Sequence, residues 1–105
     1  MPRRIAAGNW KMNGTQAALV ELASIAAVAG DVSCTTILCP PTTLLQAAVQ
    51  SSGSLAIGGQ NCHHEATGAH TGDVSAQMLA DVGAQYVIVG HSERSTAYCE
   101  SDENI

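Results

Sequence analysis

Strand and helix patterns alternate along this chain of 105 residues, and the alternation restricts the folds that it can adopt. Runs of β-branched and apolar residues typical of buried strands begin near residues 5, 35, 55 and 85. A connection follows each run, and the first three connections carry apolar residues at helical spacing. This alternation predicts an α/β fold in which helical crossovers join parallel strands.

Turn and cap residues mark the ends of the predicted elements. We predict strands over residues 4–8, 35–39, 55–59 and 86–89. We expect the helices to begin at hydroxyl side chains that can cap them, namely Thr15, then Thr42 or Thr43, then Ser75. In the third helix we expect a buried stripe, formed by Met78, Leu79 and Val82.

The composition indicates one globular domain, since 46% of the residues are hydrophobic and 12% are charged. The formal net charge is -5 with four basic residues, which argues against nucleic acid or an anionic membrane as a partner. No apolar run approaches the roughly 20 residues of a membrane span, and the amino terminus leads into no secretory apolar segment. We therefore expect a cytoplasmic protein.

The cysteines and histidines do not follow the spacing of a metal site. Without a secretory signal, we expect reduced thiols rather than a disulfide framework. The cysteines are Cys34, Cys39, Cys62 and Cys99. Cys62 lies near His63, His64 and His70, but this group lacks the paired spacing of a zinc site and occupies a glycine-rich loop. We expect no metal, and we keep a metal-binding domain built on this group as a minor hypothesis.

The stretch from Ala84 to Ser95 places a histidine at the carboxyl end of a predicted strand. Gly90 breaks the strand run just before His91, and ligands bind at this end of the strands in parallel α/β folds. The helix-start character of Ser92 and Glu93 puts His91 near a helix amino terminus, which favours a neutral imidazole that donates to a carbonyl oxygen. The alternative is a histidine bonded to a backbone carbonyl, with no part in catalysis.

Lys11 is the only lysine, and it follows the end of the first predicted strand. A lone cation at this edge suits an anionic ligand, either a phosphate or a developing enolate oxygen. The alternative is a solvated lysine in a turn. Glu93 can act as a general base or as an ion-pair partner of Lys11 or Arg94. We favour the ion pair, because a carboxylate beside a cation is a weaker base.

Four segments occur in the order and spacing of triosephosphate isomerases, and the chain resembles that family from its first strand to its last residue. They are residues 8–14 (GNWKMNG), 59–61 (GQN), 71–75 (TGDVS) and 89–94 (VGHSER). The resemblance implies an α/β fold, the TIM (β/α)8 barrel, with residues 1–105 as the amino-terminal half of one domain. It also implies an aldose-ketose isomerase, an intramolecular oxidoreductase of glycolysis and gluconeogenesis. Such an enzyme interconverts dihydroxyacetone phosphate and glyceraldehyde 3-phosphate through an enediolate, with no metal or cofactor.

The resemblance assigns site residues by position. Asn9 and Lys11 resemble the substrate-binding amide and cation, and Lys11, His91 and Glu93 resemble catalytic residues. His91 matches the electrophile that moves protons between the two substrate oxygens. Glu93 matches the carboxylate that supports Lys11, which agrees with the ion-pair interpretation.

The resemblance further implies a homodimer. Thr71 and Gly72 match the tip of a protruding loop that docks beside the active site of a second subunit. His70 stands where the family usually has a large apolar residue, so the packing of this loop is expected to differ. Ser95 and Asn104 also depart from the family pattern, and neither touches the implied chemistry.

Half of the implied barrel lies beyond this chain. A full barrel takes about 250 residues, and this sequence corresponds to about the first four βα units. A helix start at Ser101 to Glu103 is interrupted at Ile105. No residue matches the family's general-base glutamate, so we expect the chain alone to be inactive without the carboxyl-terminal half. The alternative is a non-catalytic half-barrel scaffold that self-associates and binds a phosphorylated small molecule.

Overall fold

A computed structural model describes residues 4–97, so the helix start expected at Ser101 and the thiol of Cys99 lie outside the described residues. Four parallel strands form one sheet in the order β1-β2-β3-β4. The strands are β1 (Ile5–Asn9), β2 (Thr35–Cys39), β3 (Ala56–Gly59) and β4 (Tyr86–Val87). The parallel sheet that the alternation predicts is therefore confirmed.

A helix follows each strand. The helices are α1 (Leu19–Ala29), α2 (Leu45–Ser51), α3 (Ala76–Asp81) and α4 (Ser92–Ala97). Short 3-10 turns, Gln16–Ala18 and Thr42–Leu44, precede α1 and α2. Among residues 4–97, no helix is long and apolar enough to cross a membrane.

The strand register brings the carboxyl ends of the strands to one edge of the sheet. Asn9 pairs with Cys39 at the ends of β1 and β2, and Gly59 pairs with Val87 at the ends of β3 and β4. Residues that follow these strands therefore share the same edge. The described cysteines, Cys34, Cys39 and Cys62, are free thiols.

The hydrophobic core lies between the sheet and the first three helices. Leu22 of α1 and Ala48 of α2 are completely buried. The core cluster consists of Leu22, Ala29, Leu38, Leu45, Ala48, Leu55, Ile57 and Leu79. The outer strands are less covered, since Ile5 is 53% exposed and Val87 is 37% exposed. Parallel sheets are normally covered on both faces, so these apolar side chains mark surfaces suited to further packing.

The helix caps agree with the sequence at one of three positions. Ser75 caps α3, because its hydroxyl oxygen accepts from the backbone N–H of Met78 at 3.2 Å. The prediction for Thr15 was wrong, because its side chain makes no cap hydrogen bond. Its carbonyl oxygen instead accepts from Ala18 N at 2.9 Å and closes a 3-10 turn ahead of α1. In the same way, Pro41 precedes the turn before α2, and no threonine side chain caps that turn.

Two further details correct the sequence prediction. Met78 is 53% exposed, whereas Leu79 is buried, because α3 turns by about 100° per residue and presents one narrow face to the sheet. Val82 lies just beyond the six residues of α3 and is half-buried. Strand β4 is also shorter than predicted. Its partner β3 ends at Gly59, so Ile88 adds a single bond from its N–H to the Gly59 carbonyl at 3.0 Å.

A methyl group at Gly59 is expected to destabilise this sheet. A Cβ there would lie 2.7 Å from Cδ1 and 2.9 Å from Cδ2 of the buried Leu79, closer than carbon atoms pack. Overpacking of this kind costs about 1–3 kcal/mol. Gly59→Ala in the full-length protein should therefore lower the thermal midpoint by several degrees. Gly8→Ala is the matched control, because its nearest neighbour would lie at 3.4 Å. Equal midpoints for the two variants would show that Leu79 yields without cost.

Candidate functional site

A cavity of about 570 Å³ opens at the carboxyl edge of the sheet. Residues at or beyond the carboxyl ends of the strands line it, including Asn9 at the end of β1, Lys11 after β1, Gln60 after β3 and His91 after β4. The structure therefore brings together the amide, the cation and the imidazole that the sequence singled out. Glu93 and Arg94 from α4 complete this side of the cavity.

Lys11 adopts an unusual backbone conformation for a residue with a side chain, with a φ of 56°. Its N–H donates to the Asn9 side-chain oxygen at 2.8 Å. Asn13 supports the same turn, because its side-chain amide donates to the Trp10 carbonyl at 2.8 Å. Left-handed backbone of this kind persists where surrounding contacts hold it, and such positions cluster at functional sites.

The Lys11 ammonium forms an ion pair with Glu93, with 2.7 Å between Nζ and Oε1. The hydrogen bond from Lys11, together with Glu93's own backbone N–H and the positive charge of Lys11, lowers the pKa of the Glu93 carboxyl. A carboxylate with a lowered pKa is a poor general base, because it holds a proton less readily. The sequence favoured an ion pair of Glu93 with Lys11 or Arg94, and this contact is the one with Lys11. About half of each side chain is exposed, so Lys11 remains open to the cavity.

His91 precedes the first residue of α4, and its side chain is 9% exposed. Its Nε2 contacts the Gln60 carbonyl oxygen and lies 3.2 Å from the Ile88 carbonyl oxygen. Carbonyl oxygens only accept, so this nitrogen carries the proton and donates. The other ring nitrogen, Nδ1, lies 3.8 Å from Glu93 Oε2. His91 thus makes the backbone contact of the non-catalytic alternative and also presents an N–H beside the cavity.

Gln60 links the two halves of this site, and our sequence reasoning assigned it no role. Its side-chain amide donates to the Lys11 carbonyl at 2.7 Å and to the Cys39 carbonyl at 2.9 Å. Its own carbonyl accepts from His91. Gln60 lies in the segment at residues 59–61 that resembles the family, but its side chain has no titratable group, and the search for site residues was based on such groups. Cys39 is buried beside it, and burial raises the pKa of its thiol.

The loop between β3 and α3 lies next to this cavity. Gly72 lines the cavity and adopts a φ of 91°, and Thr71 is exposed beside it. His63 and His64 also line the cavity. Within residues 4–97, no three histidine, cysteine or carboxylate side chains are arranged to hold a metal ion.

Acid should weaken the protein through the Lys11–Glu93 pair. The pKa of Glu93 is lowered in the folded state, so its contribution to stability is present above the ordinary value of 4.5 and is lost as pH falls through the lowered value. Urea unfolding of the full-length protein, at fixed concentration between pH 7 and pH 3, should show a smaller acid loss for Glu93→Gln than for the unmodified protein. Lys11→Met should flatten the profile similarly, and the double variant no further. Additive effects of the two changes would contradict the pairing.

Parallel βα units with a polar site at the carboxyl ends of their strands are typical of enzymes built on (β/α)8 barrels. Residues 4–105 match the family model described as triosephosphate isomerase. The chain therefore belongs to the triosephosphate isomerase family, and it forms about the first four βα units of a TIM barrel.

Individual relatives agree with this placement. Over 107 residues the chain is 51% identical to the triosephosphate isomerase of Ruegeria sp. strain TM1040, covering 100% of this chain and 43% of the relative. Over 104 residues it is 57% identical to that of Afipia carboxidovorans, covering 95% and 41%. The crystal structure of triosephosphate isomerase from Bartonella henselae superposes with a TM-score of 0.91 at 48% identity, covering 98% of this chain and 44% of that one. The chain thus spans less than half the length of these relatives.

Proposed function

We propose that the full-length protein containing this chain is a triosephosphate isomerase, an aldose-ketose isomerase that interconverts dihydroxyacetone phosphate and glyceraldehyde 3-phosphate through an enediolate. One observation carries the proposal: the Lys11 ammonium and the His91 imidazole lie at one cavity, and a single carboxylate, Glu93, faces both, with Oε1 near Lys11 Nζ and Oε2 near His91 Nδ1. A cation and a hydrogen-bond donor aimed at one ligand can stabilise negative charge that develops on its oxygens.

Each residue has a distinct part in the proposed reaction. Lys11 supplies a compact positive charge for the phosphate and for the enediolate oxygen. Asn9 fixes the Lys11 backbone through its side-chain oxygen and offers its amide N–H groups to the substrate. His91 donates from Nε2 to the substrate oxygens and moves protons between them. Glu93 holds the Lys11 ammonium in place.

We assign no general base among residues 4–97, because Glu93 is already engaged by Lys11. The base is therefore proposed to be a glutamate in the carboxyl-terminal half of the full-length barrel. General acid-base catalysis contributes about 10²- to 10⁴-fold, so the 105 residues alone should be inactive even if they fold.

A coupled assay tests this expectation. Full-length protein should convert dihydroxyacetone phosphate rapidly, whereas the pure 105-residue chain at equal concentration should not exceed the background rate. Turnover by the short chain near that of the full-length protein would remove the requirement for a second half. A folded full-length protein that binds phosphate without turnover would favour the scaffold alternative.

We also propose an oligomeric state and a cellular location for the full-length protein. The protein is proposed to act as a homodimer in the cytoplasm, in glycolysis and gluconeogenesis, without metal or cofactor. Thr71 and Gly72 are proposed to contact the second subunit, and their position beside the cavity supports this. The reaction needs only side chains that donate protons, accept them and stabilise charge.

A further inference from the structure

The loop between β3 and α3 contains a stack of three imidazole rings that the proposed reaction does not use. His63 lies in the middle, with its ring centroid 4.3 Å from that of His64 and 3.8 Å from that of His70. Both pairs are nearly parallel, with an interplanar angle of 24°. We call these three side chains the histidine stack.

Two carboxylates of the same loop face the histidine stack. Glu65 is shared, since its Oε1 lies 3.6 Å from His64 Nε2 and its Oε2 lies 3.4 Å from His70 Nε2. Asp73 Oδ2 lies 3.9 Å from His63 Nε2. The hydrogen bond from His70 lowers the pKa of the Glu65 carboxyl, so Glu65 stays charged where imidazoles titrate.

Other elements also place titratable groups around the cavity that His63 and His64 line. After β1 this group is Lys11, and in and before α4 the groups are His91, Glu93 and Arg94. Lys11 and Glu93 are paired with each other, with 2.7 Å between Nζ and Oε1. Cys62 precedes the stack and also lines the cavity.

One hydrogen bond makes the conformation of the loop depend on the charge of His63. The backbone N–H of Glu65 donates to His63 Nδ1 at 3.0 Å, so this nitrogen carries no proton in the structure. A protonated imidazole has an N–H on both nitrogens. Protonation of His63 therefore replaces the acceptor with a donor and breaks this bond.

We propose that His63 is the pH-sensitive centre of this loop, and that its protonation opens the turn between His63 and Glu65. The backbone bonds from His63 N to Val74 O at 2.8 Å and from Asp73 N to His70 O at 3.0 Å close the base and tip of the loop. These two bonds do not involve an imidazole nitrogen, so the change is local to the turn.

Hydrogen exchange of the full-length protein tests this proposal without any isomerase assay. Exchange of the peptide covering residues 63–75 is followed by mass spectrometry from pH 8 to pH 5 and corrected for the intrinsic pH dependence. Because opening takes up one proton, the protection of the Glu65 amide within this peptide should fall by up to about ten-fold per pH unit within the range where the imidazole becomes charged.

His63→Asn is the decisive variant. The asparagine side-chain oxygen can accept from Glu65 N–H much as Nδ1 does, but it does not titrate. Protection of the loop should then be independent of pH. The matched control is His64→Gln, which removes an imidazole that is 66% exposed and should keep the pH dependence.

Three results would overturn the proposal. They are a flat profile in the unmodified protein, an unchanged pH dependence in His63→Asn, and loss of the dependence in His64→Gln. If His63→Asn does not fold, the amide resonance of Glu65 in the unmodified protein replaces it. That resonance should move with the same midpoint as the His63 ring, and a different midpoint would equally contradict the proposal.

Discussion

Lys11→Ala in the full-length protein is expected to reduce kcat/KM by about 10²- to 10³-fold, the usual cost of removing one group that stabilises transition-state charge. The substitution removes the ammonium that faces the cavity and leaves the Glu93 carboxylate without its lysine partner near the proposed anionic substrate. Repulsion then adds to the loss of attraction. Steady-state kinetics in both directions of the reaction would measure the effect.

The controls separate charge from geometry. Lys11→Arg keeps the charge but spreads it over a planar group, so it should recover part of the binding and little of the turnover. Arg4→Ala removes an exposed cation at the opposite end of β1 and should leave the kinetics unchanged. A Lys11→Ala enzyme with near-normal kcat/KM would remove the role that we assign to this side chain.

His91→Gln is expected to lower kcat by about 10²- to 10⁴-fold, with a much smaller change in KM. The glutamine amide can still donate a hydrogen bond, but it cannot transfer a proton between two substrate oxygens. A fall in kcat with KM nearly unchanged indicates an interaction made in the transition state. Rapid-mixing kinetics with dihydroxyacetone phosphate would resolve the chemical step from binding.

The companion variant is His91→Ala, which also removes the donor to Gln60 and Ile88. It should raise KM as well as lower kcat, because the cavity edge loses its link to β3. If both variants kept normal kcat, the backbone-bonded alternative for His91 would be correct.

The sequence predicted the sheet and the position of the site because these follow from local patterns. Four apolar runs separated by helical connections allow few arrangements other than a parallel sheet. Polar residues that follow those runs must then share one edge, which is why Asn9, Lys11 and His91 meet at one cavity. The resemblance to the family added the roles of these residues, and the comparisons showed the family itself.

Features that depend on tertiary contacts were not predicted. The turn before α1 is closed by the Thr15 carbonyl rather than by its hydroxyl, a choice between two nearby acceptors that composition does not reveal. Met78 and Leu79 are adjacent and equally apolar, yet one is exposed and one is buried, because α3 is short and its rotation is set by the Gly59 surface. The two hydrogen bonds of the Gln60 side chain join residues far apart in the sequence.

The most direct test of our account is a crystal structure of the full-length protein with dihydroxyacetone phosphate bound. We predict that the ligand occupies the cavity at the strand ends. Lys11 Nζ and His91 Nε2 should then both lie within hydrogen-bond distance of its oxygens, and the His91 donor should have turned from the Gln60 carbonyl to the substrate. A substrate bound elsewhere, or one contacted by neither side chain, would contradict the assignment of Lys11 and His91 to the active site.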